Sequence, residues 1–207
     1  GGSVRQPASF CGVFGFRPTW GRVSRYGLIS MASSMDTVGI FSKTPKETRW
    51  VFDMIKGFDR NDSTSYNVKK DIPFREEKPK KILVPEVDKL KKFTEGYVFD
   101  AFNDLLLEIS KEKVEIEEVD FSIFKNSLAV YYLICYAEVS SNLARFDGIR
   151  FGPSNHEGVA SWRKSFGEEV QRRILMGSHV LSEGYRDNLY EKAILLRRSF
   201  SSTLNNW

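Results

Sequence analysis

Cysteine and histidine are scarce in this 207-residue chain, with two of each: Cys11, Cys135, His156 and His179. The cysteines have neither metal-ligand nor disulfide-framework spacing, which points to a reducing compartment. Two histidines are too few for most histidine-centred metal sites, so no metal is expected. Long apolar runs are absent too. The longest nearly apolar stretch, 127–137, falls far short of the ~20 residues of a spanning helix, which argues against a membrane protein. No internal repeat or low-complexity segment occurs. What remains is an ordinary globular composition, 41% hydrophobic, 28% charged and 14% aromatic, enough for one sizeable core.

The formal net charge of +4 is modest, and it is unevenly spread. Residues 1–68 carry +4, residues 69–120 carry −3 and residues 121–207 carry +3. The mixed-sign middle reads as a solvated surface, and the basic flanks serve solubility before they argue for nucleic acid. The chain starts at Gly1 without Met and stops at Trp207 inside a helical pattern with no capping Gly or Pro. Both ends predict a fragment of a longer protein.

Residues 1–39 are glycine-rich with short apolar stretches such as 13–16, which predicts strands and turns. Thr44-Pro45-Lys46-Glu47 predicts a helix start, with an N-cap, a first-position proline and an early acid. Trp50, Val51, Met54 and Ile55 then recur at helical spacing. A polar turn region is expected at 57–65. Lys81-Ile82-Leu83-Val84-Pro85 reads as a buried strand, and Val114–Val119 alternates with period two. Between them a helix opening at Thr94 would bury Val98, Phe99, Phe102, Leu105, Leu106 and Ile109. Strand, helix and strand in that order predict a parallel βαβ unit. Further helical patterns cover 127–145, 168–181 and 187–204. The class expected is α/β.

The chemically informative string is Gly1-Gly2-Ser3-Val4-Arg5-Gln6-Pro7-Ala8. Two glycines before a serine free consecutive N–H groups to point at one spot, as an oxyanion hole requires. The serine beneath those donors would attack a carbonyl. It needs a base, and neither histidine stands in a triad context. Taken alone, Gly-Gly-Ser reads as a linker remnant; its sequel reads differently.

Residues 1–27 resemble the amidase signature family, whose nucleophile lies in a Gly-Gly-Ser-x-Arg-x-Pro-Ala/Ser segment. The blocks 7–13, 18–27, 33–39, 62–65, 138–152 and 166–174, in that order, look like one branch of it. That branch comprises the A subunits of glutamyl-tRNA(Gln) amidotransferases. Phe41 and Trp20 depart from the pattern, where the family often has proline and tyrosine, and the 153–165 segment is short.

The resemblance implies the amidase signature fold, a mixed sheet flanked by helices. Residues 1–207 would form part of a single amidase domain, with 69–120 a βαβ portion on its outer side. It implies that Ser3 is the acyl-ester nucleophile and that Gly1 and Gly2, with the Ser3 amide, are oxyanion donors. A catalytic lysine and a bridging serine are expected upstream of Gly1, and an acid for the substrate ammonium beyond Trp207. The implied substrate is glutamine, held by Tyr131 of the 131–132 pair and by Arg173 of the 172–173 pair. Arg5 would buttress the nucleophile loop, and Cys11 would be a small buried residue. The chain itself needs no cofactor; a partner subunit would use ATP and Mg to convert Glu-tRNA(Gln) to Gln-tRNA(Gln). The implied partners are amidotransferase subunits B and C, in the cytoplasm of a bacterium or an organelle of a eukaryote. Two alternatives stand beside this: a stand-alone amidase on other small amides, and a catalytically incomplete scaffold that is inactive alone.

Overall fold

The computed structural model describes residues 2–66, 78–151 and 158–207, with the side chain of Ala160 excepted. The expected oxyanion donor Gly1, the first part of the 69–120 portion and the start of the 153–165 segment lie outside the described residues. The chain divides into two compact units: Gly1–Asp71 with Leu128–Leu195, and Ile72–Ser127 with Leu196–Trp207.

The first unit opens with a difference from the glycine-rich expectation. Residues Arg5–Phe10 form a short helix, α1, and only then does the chain enter strand β1, Phe14–Phe16. Pro7 sits in the first turn, where its missing N–H costs nothing, and Ala8 is buried at 2% exposure. β1 pairs antiparallel with β2, Ile40–Ser42, in the register Gly15↔Phe41. Helix α2, Pro45–Ile55, begins at a complete capping box. Thr44 Oγ1 accepts from Glu47 N at 3.2 Å, and the Glu47 carboxylate accepts from Thr44 N at 3.1 Å. Its inward face is Thr48, Val51 and Phe52, while Trp50 and Met54 are exposed. Phe52 meets Phe16 edge to face at 5.3 Å.

Helix α5, Ser127–Leu143, is the spine of this unit. Ile134, Cys135, Ala137 and Val139 are almost fully buried, and Ala32 packs on Cys135 and Val139. Beyond it lie the short helix α6, Val159–Lys164, then α7, Glu168–Val180, and α8, Arg186–Asn206. Helix α7 crosses α5 closely enough that a Cβ on Gly177 would overlap the Tyr136 carbonyl oxygen. Only glycine permits that approach. Ahead of α6, the Asp147 carboxylate accepts from the N–H groups of Ile149 and Arg150 at 3.0 and 2.9 Å. Those backbone donors hold its carboxyl far below the usual carboxylate range.

The second unit is more regular. Strands β3, Lys81–Pro85, and β4, Glu115–Val119, pair in parallel with Ile82 opposite Ile116. Helices α3, Val87–Lys91, and α4, Gly96–Lys111, form the crossover between them. Helix α4 starts two residues after Thr94, because the Thr94 hydroxyl instead donates back to the Leu90 carbonyl at 2.9 Å and closes α3. Phe99 is buried and Phe102, Leu106 and Ile109 are half-buried, while Val98 and Leu105, on the flank of that stripe, are exposed. A 3₁₀ turn at Ser122–Asn126 follows β4, and Phe124 stacks near Phe200 and Trp207. The architecture is mixed α/β, rich in helices, with small sheets of two strands among the described residues.

Candidate active site

Ser3 sits in the turn that leads into α1 and is exposed. Gly2 ahead of it has φ +98°, a conformation side-chain-bearing residues rarely adopt. Its carbonyl accepts from Gln6 N at 2.8 Å and so points along the start of α1. In a trans peptide C=O and N–H are antiparallel, so the Ser3 N–H points the other way, out of the helix. Two more glycines fix the loop from below. A Cβ on Gly15 would lie 2.6 Å from Ala8 Cβ and 2.9 Å from the Val4 carbonyl oxygen, and one on Gly39 would overlap the Val4 side chain. β1 and the approach to β2 thus press directly against the backbone and side chain that follow the serine.

Gly2 and Ser3 line a cavity of about 410 Å³. Val4, Arg5, Arg17 and Arg25 line it too, together with Leu28–Ala32, Met35–Thr37 and, from α5, Tyr131. The volume is that of a small-molecule site. Neither lysine nor histidine lines it among the described residues. Arg17 and Arg25 are both engaged in holding the wall. Arg17 Nη2 donates to the Met35 carbonyl at 2.9 Å and to Thr37 Oγ1 at 3.2 Å. Arg25 Nη1 donates to the Ser33 carbonyl at 2.5 Å, and its Nη2 to Thr64 Oγ1 at 2.8 Å. Its guanidinium also lies over the Trp20 ring, 5.0 Å from the centroid. Thr64 is in turn fixed by Asp62, whose carboxyl is held below its ordinary range chiefly by the Thr64 hydroxyl.

The expected substrate residues come from two packed helices. Tyr131 is half-buried, and burial, with a hydrogen bond to Cys135, pushes its phenol up to about 12. It therefore stays protonated at neutral pH and can both donate and accept. Arg173 on α7 interacts electrostatically with Tyr131 and is 27% exposed, but does not itself line the cavity. Its Nε donates to Glu169 Oε1 at 2.7 Å, which fixes the guanidinium plane and leaves both Nη groups to other acceptors. Glu169 is held at about 2 by Arg172 and then Arg173. Arg172 turns elsewhere: it is more exposed, bonds the Tyr136 hydroxyl at 3.2 Å and stacks over that ring at 5.5 Å.

Two expectations need correction. Cys11 is exposed, because it closes α1 as its C-cap where the chain turns outward towards β1. Arg5 is exposed and lines the cavity, and its side chain makes no hydrogen bond to the serine loop among the described residues; glycine contacts at 15 and 39 do that buttressing instead. The wall at 28–37 and its two arginines carried no reading from sequence beyond a motif match. The signal available was the pairing of an acid, Asp36, with several small polar residues in a segment lacking any period. Among the described residues no cluster of three or more His, Cys, Asp or Glu is placed to hold a metal ion, and no helix is long and apolar enough to cross a membrane.

Against this geometry the likeness to known proteins is extensive. The A subunit of the glutamyl-tRNA(Gln) amidotransferase of Thermotoga maritima is 41% identical over 214 residues, which cover 99% of this chain and 45% of that protein. Its counterpart from Methanococcoides burtonii, of the same name, is 44% identical over 210 residues, 95% of this chain and 43% of that one. The chain thus spans less than half the length of these curated relatives. The crystal structure of the Thermotoga maritima protein aligns with a TM-score of 0.72 at 36% identity, covering 99% of this chain and 42% of that one. A crystal structure of an amidase at 22% identity, TM-score 0.73, covers 98% of this chain and 40% of its own, and shares the fold. The Amidase family matches residues 1–207 from end to end, and the chain belongs to that family.

Proposed function

We propose that the protein is the glutamine-hydrolysing subunit of a tRNA-dependent amidotransferase, and that Ser3 is its acyl-ester nucleophile. The observation that carries this reading is the placement of Ser3 in a small-molecule cavity that Tyr131 also lines, with the Ser3 amide turned away from α1. Ser3 Oγ attacks the side-chain amide carbon of glutamine, and the oxyanion that forms takes hydrogen bonds from the Ser3 N–H and the Gly2 region. Collapse breaks the C–N bond as the nitrogen takes up the proton that the serine hydroxyl gave to its base, which releases ammonia and leaves a glutamyl ester on Ser3. Water then hydrolyses the ester to glutamate.

The serine needs a base, and among the described residues the cavity lining offers neither lysine nor histidine. By resemblance that base is a neutral lysine, upstream of Gly1, acting through a bridging serine. Its pKa must be depressed by burial for it to accept the proton. Arg173, held flat by Glu169, would pair the substrate carboxylate with its two Nη groups. Tyr131, a neutral phenol lining the cavity, would donate to the same substrate. The protein would assemble with subunits B and C, and a partner subunit that uses ATP and Mg would take the ammonia to convert Glu-tRNA(Gln) to Gln-tRNA(Gln). The names of the relatives support the glutamine and tRNA assignments.

The test is Ser3→Ala in the full-length protein assembled with its partner subunits. Glutamine-dependent amidation should vanish while amidation driven by added ammonium persists. Loss of both would place Ser3 in folding or assembly. Hydrolysis of other small amides with no amidation of tRNA would instead identify a stand-alone amidase.

A further inference from the structure

The cavity wall at 28–37 has no helix or strand to satisfy its peptide groups, so beyond a few turn bonds such as Met35 N to the Ala32 carbonyl they depend on side chains. Asp36 does part of this from within, accepting from Met31 N at 2.9 Å and Ala32 N at 3.1 Å. Arg17, Arg25 and Trp20 donate to the carbonyls of Met35, Ser33 and Asp36, and helix α5 supplies a further set. Glu138 Oε2 accepts from Ser34 N at 2.9 Å, and Asn142 Nδ2 donates to the Met31 carbonyl at 3.1 Å and to Ser33 Oγ at 3.0 Å. Tyr131, Glu138 and Asn142 follow one another at intervals of seven and four, and so share one face of α5. Between them, Cys135 and Val139 pack against Ala32, which is 1% exposed.

We propose that Glu138 and Asn142 are positioning residues for the amide substrate: they lock the 31–34 wall onto the same helix face that carries Tyr131, so that wall and phenol grip substrate as one body. This rests on the glutamine-hydrolysing reading above. Among the described residues the bonds of both run to 31–34 and not to the serine loop, which is held separately by Gly15 and Gly39. Loss of an α5 anchor therefore loosens the grip on substrate and leaves the chemical step nearly intact. The Glu138 contact needs an acceptor and not a charge, because its partner is a neutral N–H.

The experiment measures glutamine KM and kcat by ammonia release in the full-length protein with its partner subunits. Glu138→Ala should raise KM by about tenfold with kcat within about twofold. Glu138→Gln should lie within about twofold of the parent, since the amide oxygen can still accept from Ser34 N. Asn142→Ser, which removes the donor to the Met31 carbonyl, should raise KM several-fold and stands in if Glu138→Ala does not fold. An unchanged KM in both Glu138→Ala and Asn142→Ser, a fall in kcat at constant KM, or a Glu138→Gln as impaired as Glu138→Ala would overturn the proposal. Ser3→Ala run in parallel separates the two levels. If it still hydrolyses glutamine, the underlying reading fails; if it is inactive while the α5 variants keep the parent KM, only the positioning role fails.

Discussion

The two units of this chain hold their shape by different means. In the second unit, parallel strands β3 and β4 and their helical crossover make regular backbone ladders, decorated by exposed ion pairs such as Lys81–Glu117. In the first, the decisive bonds run from side chains to irregular backbone over long sequence separations. Asn142 to the Met31 carbonyl and Glu138 to Ser34 N are the main ones, and Arg25 adds a shorter-range bond to the Ser33 carbonyl. A repeating ladder tolerates the loss of any one side chain. An irregular wall has no such redundancy, since each peptide group depends on a particular partner. The cavity with Ser3 lies in the unit built the second way.

Substitutions should expose that contrast, the largest effects falling in the first unit. Gly15→Ala would drive a methyl into Ala8 Cβ and the Val4 carbonyl, the latter backbone that cannot swing aside. Overpacking of this kind costs about 1–3 kcal/mol, measurable by denaturant unfolding. Because the displaced residues follow Ser3, glutamine hydrolysis should fall by about a hundredfold. Unchanged hydrolysis would mean that the serine loop does not depend on β1.

Arg173→Ala should raise the glutamine KM by about tenfold, as expected for loss of a charge-assisted contact. Lysine should restore it only in part, because an ammonium lacks the planar fork. Ammonium-driven amidation should be unaffected. If Arg172→Ala gives the KM effect and Arg173→Ala does not, the substrate arginine is the one over Tyr136.

A smaller effect is expected at Glu169, which accepts from Arg173 Nε: Glu169→Ala should raise KM only a few-fold. Its pH behaviour follows from its depressed pKa. A carboxyl lowered from its ordinary value to about 2 keeps its pairing through the ordinary carboxylate range and loses it only as pH falls through about 2. Glutamine KM should thus show no inflection from Glu169 between neutral pH and that range. The smallest effect belongs to the second unit. Lys81→Ala removes an exposed pair with Glu117 and should leave the melting temperature unchanged within error.

The same contrast explains what could be read from sequence. Thr44-Pro45-Lys46-Glu47 announced a helix start because capping is local chemistry, and α2 begins there, at a complete capping box. Lys81–Pro85 and the alternation at 114–119 announced strands, and their parallel pairing followed from the helix between them. Helix α1 was hidden because its six residues are too few to show a period and glycines surround them. Trp50 and Met54 have the spacing of a buried face yet are exposed, since spacing alone does not say which stripe meets the core. In the site, Ser3 and Tyr131 were legible through a motif and a resemblance, and both line one cavity. The wall at 28–37 was not. Its conformation depends on Glu138 and Asn142, over a hundred residues away along the chain, and no local pattern encodes such a partner.

The central claim, that Ser3 carries the acyl group, is tested most directly by trapping that group. The full-length protein with its partner subunits would be mixed with glutamine, quenched in acid during turnover, digested and examined by mass spectrometry. One glutamyl group should be found on the peptide containing Ser3, and none in Ser3→Ala. A glutamyl group mapped to any other residue, or its absence from a preparation that is releasing ammonia, would contradict the account.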